Sequence, residues 1–474
     1  MRCLFPCLMA GVLALPAHAA EPTTAEPSKP KPPATSVSAK EYAVDLMQLY
    51  RESRLEDPRV LASYSRAQAS KEQQREAFGS LLPQVSVNAG KNRITQSNEL
   101  IRQSYSSENY SVTLSQAIYN KAAWENWKKF QSLAKQSASE SEEAQAEATV
   151  DLAQRYFAAL AADDELELVR AELRATQKNL DRVNALYAKQ LAMITDKLDI
   201  QSRVDSLIAQ EVDAKNQVRV TRAALSEIIG RPVLERLSRV RDDVELQVST
   251  QSMEDWVQLA VTQNPQVKAN ESAVEAAQAA VRGGKGGHYP TVSLNLSAQQ
   301  TNEGYNNALA PRTDSYVAGV GVQIPIYSGG STSARVRGLY QDQLTTEQQL
   351  VATRRQVAKE TTNAYLTADS SVEKIRANRN ALSSSEQSRI AAEKAFSYGV
   401  VNAVDVLTAT QNEFKARRDL LKTQYDFITN LFILNRWAGK LSTDSVESVN
   451  VWLSNNSKTD AVSKTDTVPD RKIN

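Results

Sequence analysis

Cysteine is almost missing from this chain: among 474 residues only Cys3 and Cys7 carry a thiol. Both fall in a leader-like start. Arg2 precedes an apolar run from Cys3 to Leu15, and Ala17-His18-Ala19 offers a small-residue cleavage box. That pattern reads as a secretory signal peptide over residues 1–20, followed by a disordered Pro- and Thr-rich linker over 21–39. Cleavage leaves no cysteine, which excludes disulfides, thiolate metal sites and a catalytic thiol. Neither cysteine stands at the end of the leader, where a lipid anchor needs one. Histidine is equally scarce. Only His288 survives cleavage, and one imidazole does not furnish a metal centre or a His-based catalytic set. No catalytic residue, metal or cofactor is expected, so the chain does not read as an enzyme. Charge of one sign is also lacking: 56 basic residues face 55 acidic ones, and the leader holds only Arg2. That balance gives no argument for a nucleic-acid partner. Finally, no later segment approaches the ~18 consecutive apolar residues of a transmembrane helix. If the exported protein crosses a membrane, it does so with β-strands.

What the sequence does contain is itself, twice. Leu55-Glu56-Asp57-Pro58-Arg59-Val60 returns as Thr262-Gln263-Asn264-Pro265-Gln266-Val267, and Leu82-Pro83-Gln84-Val85 returns as Tyr289-Pro290-Thr291-Val292. Ile118-Tyr119 matches Ile326-Tyr327, Tyr156 matches Tyr365, Asp196 matches Asp405 and Gly230 matches Gly439. The offset drifts only from 207 to 209 residues across a whole half, which marks an internal duplication. The first repeat is placed at 40–230 and the second at 256–440. Between them 231–255 forms a connector, expected to build a small equatorial collar with the segment after 441, ahead of a disordered tail to 474.

Each repeat opens with a helix, near 57–81 and 265–283, that Pro83 or Pro290 ends before strands begin. Val85, Val87 and Ala89 alternate with polar residues, as do Tyr110, Val112 and Leu114. Val292, Leu294, Leu296 and Ala298 repeat the pattern, followed by Ala318, Val320, Val322 and Ile324. Strict alternation means strands with one apolar and one polar face. Polar loops at 97–104 and 301–313 would close two hairpins. Tyr105, Tyr110, Tyr119, Tyr305, Tyr316 and Tyr327 fall near strand ends, as an interfacial girdle requires. Two soluble hairpins on a core are the plainer alternative, but the flanking helices are very polar and offer no apolar layer.

The remainder is helical. Proline-free stretches near 121–189 and 332–397 are rich in Ala, Glu, Gln, Lys and Arg, enough for helices about 100 Å long. Shorter helices near 196–229 and 405–438 run back along them. Ile200, Val204, Leu207, Ala214, Val218, Leu225 and Ile228 sit on a heptad seam, copied more weakly by Ala409, Ala416, Leu420, Phe427, Leu434 and Trp437. One long helix is expected beside two half-length helices laid end to end. The glycine run Gly283 to Gly287 lacks the spacing of a phosphate loop and reads as a flexible helix-to-strand link, and Gly329-Gly330 as the elbow from strand to helix.

Four strands cannot close around a lumen, and lipid does not tolerate open sheet edges. If the strands span a membrane, other copies must complete them, and a cyclic homo-oligomer follows. Duplicated halves of helix, hairpin, very long helix and returning helix resemble the TolC-like outer-membrane efflux and type I secretion channels. The resemblance rests on Asp57-Pro58, Asn264-Pro265, the strand openings at Pro83 and Pro290, and Ile324-Pro325-Ile326-Tyr327-Ser328-Gly329-Gly330. Tyr398-Gly399 with Asp405-Val406-Leu407 and Thr410-Gln411 extends it.

It implies an α+β membrane protein: a homotrimer with a 12-stranded β-barrel in outer-membrane lipid, continued by a helical coiled-coil barrel in the periplasm. It further implies a periplasmic membrane-fusion (adaptor) protein and an inner-membrane ABC or other export pump as partners, for protein secretion or small-molecule efflux. A periplasmic coiled-coil protein without a pore is a weaker alternative. The helix turnarounds, 189–195 and 398–404, would form the periplasmic end. Gln190, Leu191 and Ala192 at one, and Tyr398, Gly399 and Val400 at the other, are the expected adaptor contacts. Asp196 and Asp405, with Asp199 and Thr408 nearby, are the expected gate, unless the two aspartates are only helix N-caps. The resting latch of the resembling channels would fall on Phe396 and Val401, which do not carry its tyrosine and arginine; Phe396 reads instead as a packing residue.

Overall fold

A computed structural model describes residues 43–97, 102–241, 244, 246–247, 251–303 and 312–454. The expected signal peptide, linker and tail lie outside the described residues, as does Tyr305. The first repeat runs α1 (Leu46–Glu56), α2 (Pro58–Gly79), β1 (Gln84–Ser97), β2 (Arg102–Tyr119), α3 (Lys121–Ala188) and α4 (Ile194–Ile229). After the short β3 (Arg239–Val240), the order returns as α5 (Met253–Gln263), α6 (Pro265–Lys285), β4 (Thr291–Glu303), β5 (Thr313–Gln323), α7 (Ser331–Ser397) and α8 (Ala403–Trp437). Helix α9 (Thr443–Asn450) and β6 (Leu453–Ser454) end the described chain.

Helices α2 and α6 start alike because Asp57 and Asn264 accept hydrogen bonds from the backbone N–H groups of Arg59 and Gln266, and proline follows each at the first helical position. The 68-residue α3 spans about 100 Å. In each repeat the two shorter helices lie along the long one, α2 and α4 on α3, α6 and α8 on α7, while α6 also bridges α3 to α7. The seam on α4 is buried at Ile200, Val204, Leu207, Ala214, Leu225 and Ile228. Its copy on α8 is buried at Ala409, Phe427 and Leu434.

The main core gathers where α1, α3, α4, α8, α9 and the connector meet, around Leu49, Tyr156, Phe157, Leu160, Leu225, Phe427 and Phe432. There β3 pairs with β6, Val44 pairs with Leu237, and the Tyr156 hydroxyl donates to the Ser238 carbonyl at 2.8 Å. Helices α1, α5 and α9 are not anticipated by the sequence reading. They are short: α1 and α9 pack into the main core, and Trp256 of α5 packs against Ala364 of α7 and Leu434 of α8.

Two expectations fail for physical reasons. The run Gly283 to Gly287 is no flexible link: Gly283 to Lys285 continue α6, and Gly286 to His288 form a 3-10 turn. Close packing explains Gly284 and Gly286, since a Cβ at Gly284 would lie 2.7 Å from Leu339 Cδ1 and one at Gly286 would lie 2.7 Å from the Ala122 nitrogen. Ile324 also falls outside β5, which ends at Gln323. Pro325 follows, disfavouring continued ladder pairing because it has no N–H to donate. Gly329 and Gly330, at φ 63° and 81°, then turn the chain into α7 as expected.

Candidate functional site

Two regions carry the chemistry the sequence pointed to, the sheet and the helix turnarounds. The sheet has order β1-β2-β4-β5 and is antiparallel throughout. Its register aligns the alternating residues of all four strands. Val85, Leu114, Leu296 and Ala318 form one cross-strand row, and Val87, Val112, Ala298 and Tyr316 the next. The opposite face carries Gln84, Ser115, Asn295 and Gly319 in one row and Ser86, Thr113, Ser297 and Val317 in another. On that polar face the Ser115 hydroxyl donates to Asn295 Oδ1 at 3.0 Å, and Gln299 Nε2 donates to Asn109 Oδ1 at 3.2 Å.

The apolar face is uncovered. Val87 is 72% exposed and Val320 62%, and no helix among the described residues covers either face. The outer edges of β1 and β5 have no pairing partner among the described residues, although β5 is 11 residues long and β1 14.

The strands run further than the alternation marks, so residues 102–104 and 301–303, expected as loop, belong to β2 and β4. Polar cross-strand pairs hold this extension, Lys91 Nζ lying 2.8 Å from Glu108 Oε1. Tyr110, Tyr119 and Tyr316 stand on the apolar face. Tyr105 does not: it pairs with Ile94 on the face of Ser86 and Thr113.

At the turnarounds the two repeats converge. Leu180 and Val183 of α3, Ile200 and Val204 of α4, and Ala403 and Leu407 of α8 share one apolar cluster, with Ala192 and Phe396 packed against it. The Arg182 guanidinium lies 4.7 Å from the Phe396 ring centroid, so Phe396 serves as a packing residue between repeats. Both turns close the same way. Leu191 N donates to the Leu186 carbonyl at 2.9 Å and Val400 N to the Ala395 carbonyl at 3.0 Å. Gln190 (φ 61°) takes the left-handed conformation of Gly399 (φ 74°), so its missing glycine leaves the turn unchanged. Leu191, Tyr398 and Val400 project outward, 71%, 83% and 76% exposed.

The four gate candidates divide. Neither aspartate is an N-cap, contrary to that expectation; each stands three residues beyond the cap. On α8 the cap is Asn402, whose Oδ1 accepts from Asp405 N at 2.8 Å while Asp405 Oδ2 accepts from Asn402 N at 3.1 Å. On α4 the cap is Met193, which makes no side-chain bond. Asp405 is thus held in a capping box, and Asp196 is not. Asp199 is exposed, and the exposed Thr408 donates its hydroxyl to the Val404 carbonyl at 2.9 Å.

Sequence reasoning missed the ionic ties between the helix pairs. Glu172 of α3, fully buried, accepts from Arg203 of α4 and from Arg418 of α8, the latter at 2.8 Å. Arg418 also grips Glu165 at 2.8 and 2.9 Å. Glu413 accepts from Arg389 of α7 and from Arg417. A signal existed for Glu413: adding the repeat offset to Val204 lands on it, the one charged position in the α8 copy of the seam.

A sequence model described as outer membrane efflux protein matches the chain twice, over residues 49–231 and 256–440. The chain belongs to the outer membrane efflux protein family. Among relatives, outer membrane protein TolC of Vibrio cholerae is 27% identical over 88% of this chain and 96% of its own length. Alkaline protease secretion protein AprF of Pseudomonas aeruginosa is 24% identical over 86% of this chain and 87% of its own length. Among solved structures, the channel-forming CusC aligns with a TM-score of 0.74 at 16% identity, covering 83% of this chain and 92% of that one. The resemblance read from the duplicated motifs is therefore correct, and the fold of this efflux family member is the α+β fold of those channels.

Proposed function

We propose that this chain is the outer-membrane exit duct of a tripartite export system, assembled as a homotrimer. The observation that carries this reading is the uncovered amphipathic sheet with two unpaired edges, on a chain of the efflux family. Lipid suits the face of Val87 and Val320, and a water-filled lumen suits that of Ser115 and Asn295. Three copies supply 12 strands, β5 of one chain meeting β1 of the next. Helices α3, α4, α7 and α8 then continue the duct through the periplasm, with the leader directing export and being removed near residue 19 or 20. The turnarounds, through Leu191, Ala192, Tyr398, Gly399 and Val400, meet a periplasmic adaptor, which links to an inner-membrane pump. Asp405 and Asp196 ring the narrow end, with Asp199 and Thr408 one turn further on. AprF, a protease-secretion protein by name, favours proteins among the cargo; small-molecule efflux is the second reading, from the family's own description.

The mature chain's lack of cysteine makes a direct test possible. Ser86→Cys on β1, combined in turn with Val317→Cys, Gly319→Cys or Gly321→Cys on β5, samples the seam between chains, where directly opposed Cβ atoms lie about 5 Å apart. At least one pair should oxidise into a covalent ladder ending at three chains. A ladder that stops at two chains, or no ladder with any pair in a membrane-inserted protein, contradicts the closed barrel.

A further inference from the structure

The root of the sheet carries a cluster of cations and aromatic rings that the duct itself does not use. Lys121 Nζ lies 2.7 Å and Lys128 Nζ 4.0 Å from Glu125 Oε1, and Arg282 Nε lies 2.8 Å from Glu125 Oε2. Three cations thus meet one buried carboxylate. Burial alone would raise the Glu125 carboxyl, but hydrogen bonds from Lys121 and Arg282 outweigh it and hold its pKa below the usual range. It stays charged and neutralises only one of the three. Lys285, exposed at the end of α6, has no ion-pair partner among the described residues. Trp124 is 43% exposed with Lys128 Nζ 5.9 Å from its ring, and it packs edge-on to Trp127, which touches Phe78 of α2.

The side on which this cluster lies follows from the sheet register. Gln84 belongs to the polar face, and it lines a cleft with Asn126 and Phe130 of α3. Asn126 and Lys129 also line the neighbouring cleft with Ala280 and Gly283 of α6. At 100° per residue, Trp124 and Lys128 stand opposite Asn126 and Phe130 on α3, and Arg282 and Lys285 stand opposite the side of α6 that carries Ala280 and Gly283. The cationic and aromatic side chains are therefore on the side of the apolar face, immediately below Ile118 and Tyr119, which are 58% and 41% exposed.

We propose that Lys121, Lys128, Arg282 and Lys285, flanked by Trp124, form a binding site for the phosphate headgroup of an anionic phospholipid in the periplasm-side leaflet. This rests on the reading of the sheet as a lipid-facing barrel wall. The occupant follows from charge complementarity and position. The excess positive charge sits where the apolar wall ends, at the depth of lipid phosphates, and indole rings favour that same layer. A basic side chain near a lipid surface contributes about fivefold in affinity, so the site should discriminate by headgroup charge.

The test uses the full-length protein in mild detergent, with dioctanoyl phosphatidylglycerol and dioctanoyl phosphatidylcholine as probes, and native mass spectrometry to count retained lipids. Phosphatidylglycerol should be retained in preference to phosphatidylcholine. Lys128→Gln with Lys285→Gln should weaken that preference by at least tenfold, while Lys215→Gln, on α4 far from the sheet, should leave it unchanged. Equal retention of both lipids, an unaltered preference in the double variant, or displacement by millimolar inorganic phosphate would each overturn the site. The same spectra report the oligomer. A trimer without lipid preference removes the headgroup site alone, whereas a monomer removes the barrel reading beneath it.

Discussion

Asp57 and Asn264 stand at the same place in the two repeats and begin the same helix with different charge. Both are buried and cap by accepting backbone N–H groups, but Asp57 also holds the Arg59 guanidinium at 2.9 Å. Burial on its own would raise the Asp57 carboxyl; the hydrogen bonds and charge of Arg59 outweigh it and place its pKa below the usual value. A carboxylate depressed in the folded state stabilises fully above its unfolded pKa, about 4, and that stability is lost as pH falls through the folded value. Asp57→Asn copies the second repeat and should cost about 1 kcal/mol at pH 7, since Arg59 is half exposed. The gap between variant and parent should narrow as pH falls below about 4. A constant gap in thermal unfolding across that range would show that the charge does not matter. Gln190 offers the second test at this scale. A side chain in the left-handed region costs about 1 kcal/mol relative to glycine. Gln190→Gly should stabilise the assembly by that order and Gly399→Gln should destabilise it, read as opposite shifts in Tm. The helix start at Pro58 and the turn at Gly399 are legible in the sequence because proline and glycine announce their backbone geometry. The left-handed Gln190 is not, because nothing in its own chemistry asks for it.

Among the elements, α6 shows most clearly where local preference yields to packing. Five residues of glycine and lysine read as a loop, yet the helix continues through Gly284 because the chain must pass between α3 and α7 at close range. The glycines are not equivalent. A Cβ at Gly283 would meet only ordinary contacts, the nearest at 3.5 Å from Glu125 Cβ, whereas one at Gly286 would lie 2.7 Å from the Ala122 nitrogen and 2.9 Å from its Cα. Gly283→Ala should therefore be neutral or stabilise by up to about 1 kcal/mol through helix propensity. Gly286→Ala should cost about 1–3 kcal/mol, because backbone cannot swing aside as a side chain can. Equal unfolding midpoints for the two variants would contradict the packing account. Long helices were readable because composition and the heptad seam persist over many turns. Glu172 was not, because a buried acid between arginines of α4 and α8 reveals itself only when three helices are brought together.

At the scale of the whole molecule, sequence and structure agree on what is unfinished. The alternation of Val85, Leu114, Leu296 and Ala318 is legible in each strand, but their alignment into one apolar surface depends on register, which only the folded sheet displays. Among the described residues that surface has no cover and the outer edges of β1 and β5 have no partner, so the proposed duct requires further copies and a membrane. A pore is the consequence to measure. Purified protein in a planar lipid bilayer should produce discrete, uniform conductance steps, with a preference for cations if Asp405 and Asp196 ring the narrow end. Asp405→Asn should reduce that preference without abolishing the steps. A trimer that inserts into the bilayer yet passes no current, in any gating condition and in the variant alike, would contradict the duct.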